Sequence, residues 1–168
     1  VLGSEEINEK ANMKPGDIRM LLNETTGIHI QQTSATSFNS NIRIQGLNGK
    51  YTQLLRDGMP MYGGFSSGLG LLQIAPLDLQ QVEVIKGANS TLYGGGAIAG
   101  LVNLVTKKPS AQSERSMLFN ATSADGVDAS GFYSAKQGAL GTRVFTSYNR
   151  GDAYDAADNG FSAIPEFE

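Results

Sequence analysis

The chain has 168 residues, 40% of them hydrophobic, with 13 Lys and Arg against 16 Asp and Glu for a net charge of −3. That balance, without a dense basic run, excludes a nucleic-acid partner. The lack of cysteine excludes disulfides and thiol chemistry, and no apolar run approaches the roughly 20 residues a membrane helix needs. Transmembrane β-strands stay open, because they alternate instead of running apolar. Glycine is unusually frequent, 21 residues against an average of roughly 7%, which predicts many tight turns and close backbone approaches.

In chain order, the first element is a helix with Ser4 as its N-cap, ahead of Glu5 and Glu6, whose charges suit a helix N-terminus. A second helix is predicted from about Pro15 to Thr25, with Ile18, Leu21 and Leu22 as its apolar face and Gly27 as its stop. Ile28–Gln32 and Asn41–Gly46 alternate as strands. In the second, Ile42 and Ile44 share one face, Arg43 and Gln45 the other. Tyr51–Arg56 is a third strand, ending on the turn signal Asp57-Gly58. Val82–Lys86 is a fourth. Ile98–Thr106, apolar nearly throughout, is a fifth and belongs in mid-sheet. Between them Ala88–Tyr93 fits a helical turn closed by Gly94-Gly95-Gly96.

A composition shift near Pro109 divides the chain into residues 1–109, net +1, and residues 110–168, net −4. The second region carries three alternating segments, Ser116–Thr122, Ser130–Gln137 and Thr142–Arg150, with turns at Asp125-Gly126 and Gly138–Gly141. Evenly spaced antiparallel strands suggest a meander or the start of a barrel. The fold class is α+β: a small mixed sheet with short helices, then antiparallel strands.

Two blocks carry a family resemblance. Asn41–Gly58 reads NIRIQGLNGKYTQLLRDG, a strand, a Gly step, a short turn and a strand ending in Asp-Gly. Pro76–Pro109 reads PLDLQQVEVIKGANSTLYGGGAIAGLVNLVTKKP: a valine-rich strand with Glu, a basic residue and Gly, then Leu-Tyr-Gly, a glycine cluster and an apolar strand reaching Thr-Lys. Together they resemble the plug domain of TonB-dependent outer-membrane receptors, over roughly 85 residues from Ile18 to Pro109. Residues 110–168 resemble the first strands of the receptor barrel.

The resemblance implies a plug in the lumen of a 22-stranded barrel in the Gram-negative outer membrane. The plug would gate energised uptake of a scarce nutrient, such as a siderophore, haem or cobalamin. Its partners would be the barrel of the same chain, the nutrient, and the TonB energy-coupling protein. TonB would be reached through an extended segment upstream of residue 1 that adds a strand to it. The family holds its plug with two basic residues that pair with glutamates of the barrel wall. One matches Lys86. The other falls on Gln45, which carries no charge, so Arg43 is the expected substitute. The structural glycines are Gly46, Gly58, Gly87, Gly94 and Gly100. Counting strand reversals brings two loops to one side, Thr33–Ser40 and Met61–Gly70. Their Ser37, Phe38, Asn39, Tyr62, Phe65 and Ser66 combine rings with small polar groups, a common binding surface.

No catalytic, metal or cofactor site is expected. Gly94-x-Gly96-x-x-Ala99 matches a dinucleotide fingerprint in letters, but a β-branched strand follows where a helix is required. His29 is the single histidine, without a cysteine or carboxylate cluster around it, and is expected to be a strand residue with a hydrogen-bond partner. The alternative is a soluble ligand- or sugar-binding β-rich domain. Such a domain would close its sheet by residue 168, whereas the sequence stops on Phe167-Glu168 with no closing element, as a piece of a longer chain would.

Overall fold

A computed structural model describes residues 1–13, 18–23, 25–32, 40–61, 67–68, 74–87, 97–122 and 126–151. These form two compact units that divide between Thr106 and Lys107. In the first unit the elements in order are α1 (Ser4–Met13), α2 (Arg19–Asn23), β1 (Ile28–Gln32), β2 (Ser40–Ile44), β3 (Thr52–Arg56), β4 (Met59–Pro60), β5 (Ser67–Gly68), β6 (Leu79–Lys86) and β7 (Gly100–Thr106). The predicted helical turn Ala88–Tyr93 and the cluster Gly94-Gly95-Gly96 lie outside the described residues.

Local chemistry moves several boundaries. The first intrahelical bond of α1 runs from Ile7 N to Gly3 O, 3.0 Å. Gly3 therefore takes the cap and Ser4 is the first helical residue. The described part of α2 ends at Asn23, short of Thr25. Asn23 Oδ1 accepts from Ile30 N at 3.1 Å, and Thr25 N donates to Leu22 O, so the chain turns through Gly27, φ +78, into β1. Leu21 and Leu22 are buried as expected, with Ile18 beside them.

β1 and β2 pair antiparallel from Ile28↔Ile44 to Gln32↔Ser40. Ile42 and Ile44 are fully buried on one face. The ladder stops at Ile44, two residues earlier than expected, because Gln45 and Gly46 take φ of +52 and +80. Positive φ is incompatible with strand geometry, so Gln45 does not share a strand face with Arg43. Its N–H instead donates to Gly27 O, 3.1 Å. His29 is exposed on β1, opposite Arg43. The hydrogen-bond partner expected for it is not found among the described residues.

The other sheet of this unit has the order β4-β3-β7-β6. It is mixed: β3 runs parallel to β7 and β6 antiparallel to it. β7 is the interior strand, as its apolar run implied, with Val102 and Leu104 fully buried. It begins at Gly100, since Ile98 is half exposed and outside the ladder. β6 begins at Leu79, three residues before the predicted Val82, with a register irregularity between Leu79 and Gln81. Leu2 adds to the edge of β6 through reciprocal bonds with Val82 of 2.8 and 3.1 Å. The Asp57-Gly58 turn has positive φ at both residues, the primed geometry that matches strand twist. Asp57 locks it by accepting from Thr106 N (2.8 Å) and Thr106 Oγ1 (2.7 Å).

The second unit is one antiparallel sheet of β8 (Glu114–Ala121), β9 (Gly126–Gln137) and β10 (Leu140–Gly151), in the order β10-β9-β8. The strands outrun the predicted segments. The β9–β10 turn is only Gly138-Ala139, with Gly138 at φ +58, so Leu140 and Gly141 pair in the ladder.

Candidate functional site

The two predicted plug-holding cations lie on adjoining turns of the first unit. Lys86, the last residue of β6, donates from Nζ to Thr26 O. Its stem lies over Gly27, where an added Cβ would stand 3.0 Å from Nζ. Arg43 donates from its guanidinium to Gly46 O, 3.3 Å. The two turns are joined by the bond from Gln45 N to Gly27 O. Arg43 and Lys86 thus bind backbone carbonyls of adjoining turns, and no described carboxylate pairs with either. Arg43 Nε is buried without a partner among the described residues.

The predicted glycines serve different ends. Gly46, Gly58 and Gly87 have φ of +80, +80 and +88, with open space where a Cβ would point. Their need is conformational. Gly100 is doubly constrained. Its φ is +144, and a Cβ there would sit 2.3 Å from the carbonyl oxygen of Ile85, because β7 starts where it is flanked by Thr52 and Lys86. Gly94 lies outside the described residues.

Ser37, Phe38, Asn39, Tyr62, Phe65 and Ser66 also lie outside the described residues. Their flanks are described and converge. β5 pairs antiparallel with the start of β2, Ser40↔Gly68 and Asn41↔Ser67. The counting of reversals had overlooked the return strand β4 and this short pairing. It is this pairing that sets Ser67 and Gly68 beside the first residues of β2.

The strongest chemical pattern is in the second unit, and sequence alternation indicated it only in outline. Cross-strand register places Arg115, Met117, Phe119 and Ala121 of β8 on one face. Tyr133, Gly131, Ala129 and Val127 of β9 lie beside them, then Val144, Thr146, Tyr148 and Arg150 of β10. This face is exposed although it is mostly apolar: Met117 is 81% exposed, Phe119 77%, and Leu140, on the same face nearer the turn, 71%. The opposite face carries Ser116, Asn120, Asp128, Ser130, Ser134, Lys136 and Arg143, with Asn120 donating to Asp128 at 3.0 Å. The exposed side is mainly apolar, and the other side is mainly polar around Leu118, Phe132 and Phe145, the reverse of a water-soluble sheet. β9 and β10 have 12 residues each. At about 3.4 Å per residue and a tilt of about 45°, such strands rise roughly 28 Å, close to a bilayer core of about 30 Å.

No described group of His, Cys, Asp or Glu could hold a metal ion. Among the described residues, no helix is long and apolar enough to cross a membrane.

Comparison with known proteins follows the same division. Residues 1–101 match the family described as TonB-dependent Receptor Plug Domain. The ferric aerobactin receptor of Klebsiella pneumoniae is 36% identical over 104 residues, which is 62% of this chain and 13% of the receptor. The vitamin B12 transporter BtuB of Vibrio vulnificus is 26% identical over 160 residues, 94% of this chain and 26% of the transporter. Among solved structures, the siderophore receptor PirA from Pseudomonas aeruginosa superposes with a TM-score of 0.69 at 24% identity. That match covers 89% of this chain and 27% of the receptor. The chain therefore spans about a quarter or less of each of these relatives. The likeness favours a plug with barrel strands over a soluble β-rich binding domain.

Proposed function

The chain belongs to the TonB-dependent receptor plug domain family, and from that premise we propose that it is the gate of an outer-membrane nutrient importer. Residues 1–109 form the plug and residues 110–168 the first strands of the barrel around it. The observation that carries this reading is the second unit's sheet, whose exposed face is apolar along strands long enough to cross a bilayer. The polar face then belongs to the lumen and the apolar one to lipid. The chain resides in the outer membrane, with its plug in the lumen facing the periplasm.

Arg43 and Lys86 anchor the plug to the wall. Arg43 stands in for the charge that Gln45 lacks, since its guanidinium reaches Gly46 O, one residue further along. An anchoring carboxylate would also satisfy the buried Arg43 Nε. The nutrient is a scarce chelate or cofactor of the siderophore, haem or cobalamin kind; the names of the relatives support the siderophore and cobalamin kinds. Ser37, Phe38, Asn39, Tyr62, Phe65 and Ser66 contact it from the plug, supported by the β2–β5 pairing that joins the flanks of both loops. The TonB protein acts through an extended segment of the receptor that adds a strand to it.

Replacing Phe38, Tyr62 and Phe65 with Ala in the full-length receptor tests the ligand surface. Loss of the three rings is expected to weaken nutrient binding by tenfold or more, since each ring in contact with the ligand contributes about 1 kcal/mol or more. A triple variant that binds its nutrient as tightly as the parent removes these loops from the site.

A further inference from the structure

We propose that Arg115 and Tyr133 form a binding site for the phosphate of a membrane phospholipid on the outer wall of the barrel. This rests on the reading of β8–β10 as membrane-spanning strands and names a ligand for their lipid face.

Arg115 is a cation on a face that is otherwise largely apolar. It precedes Met117 and Phe119 on the same side of β8, and both are largely exposed. It lies directly opposite Tyr133 on β9, with its guanidinium 5.8 Å from the centre of that ring. No described carboxylate pairs with it. Its sequence neighbour Glu114 points to the other face and is held by Lys107 at 2.7 Å.

A guanidinium turned towards hydrocarbon must reach water or an anion at the membrane interface. The ring of Tyr133 fixes its plane through a cation–π contact, and tyrosines favour the same interfacial depth. The anion available there is the lipid phosphate, whose oxygens match the guanidinium fork with two parallel hydrogen bonds. The Tyr133 hydroxyl adds a further donor. Arg115 lies near the start of β8, a few residues after the chain leaves the first unit. In the proposed orientation, with the plug facing the periplasm, β8 starts on the periplasmic side and the site lies in the inner leaflet, where the anions are phospholipid phosphates.

The test uses the full-length receptor in vesicles of phosphatidylethanolamine and phosphatidylglycerol, the latter bearing a photoactivatable headgroup. Insertion is scored separately by heat-modifiable migration on gels. The parent is expected to crosslink within the peptide around Arg115. R115Q should lose about tenfold of that labelling, R115K should keep part of it, and excess inorganic phosphate should leave it unchanged. Equal labelling of an inserted R115Q overturns the site and leaves the barrel reading intact. Labelling abolished by inorganic phosphate makes it a general anion site and overturns the lipid assignment. A full-length chain that never inserts overturns the barrel reading, and this site with it.

Discussion

Glycine content was conspicuous in the sequence, but the reason for each glycine was not. Gly46 and Gly100 look alike as letters. Gly46 sits in open space at φ +80, while Gly100 faces the Ile85 carbonyl at φ +144. Gly46→Ala is expected to cost about 1 kcal/mol, from backbone strain alone. Gly100→Ala adds a collision with main chain that cannot rotate away, so a loss of about 3 kcal/mol or more is expected. Denaturant midpoints of the two variants measure the difference, and equal midpoints would show that β6 and β7 are not so closely apposed. The anchor residues were legible by resemblance only. Gln45 appeared to extend β2, and its positive φ could not be read from its residue type. In cells, the double change Arg43→Ala and Lys86→Ala is expected to loosen the plug and raise sensitivity to large antibiotics. Unchanged sensitivity, with the receptor present in the outer membrane, would argue against the anchor.

Elements with a long period were legible, and short ones were not. β7 could be placed in mid-sheet because seven residues of nearly unbroken apolar sequence have few other uses. β4 and β5 have two residues each, too few to show any period. Their pairing is set by distant partners, Leu55 and Arg56 for β4 and Ser40 and Asn41 for β5. α2 shortened because Asn23 bonds Ile30, a contact seven residues away that propensity does not register. In β8–β10 alternation revealed two faces, and the cross-strand register then showed that every strand turns its apolar side the same way. Adjacent residues of β8 separate a membrane sheet from a soluble one. Met117 is 81% exposed, so Met117→Lys would be nearly neutral in water. In a lipid-facing strand, two residues inside the interface, it is expected to cost about 1–2 kcal/mol, between the interfacial and midplane values, while Ser116→Lys on the opposite face is tolerated. Urea unfolding of the full-length receptor in vesicles compares them, and two variants of equal stability would place Met117 out of contact with lipid.

At the scale of the whole molecule, the plug signature was carried by two blocks in combination, the Asp-Gly hairpin and the glycine-rich run between two apolar strands. In the described parts of both blocks, the residues that define them are those the fold constrains: the primed Asp57-Gly58 turn, Gly100, and the buried Val82, Val102 and Leu104. The candidate ligand loops have no such constraint in their sequence, being small polar residues around a few rings, so their side chains could be nominated but not arranged. The nutrient of the proposed importer is less legible still, because no residue of these loops singles out one ligand chemistry. The gate itself can be tested directly by deleting residues 1–106 from the full-length receptor and measuring entry of vancomycin, together with energised uptake of the nutrient. With the barrel verified in the outer membrane, the deletion is expected to make cells sensitive to vancomycin and to abolish concentrative uptake. Cells that keep both their vancomycin resistance and their uptake would show that this unit does not gate the pore.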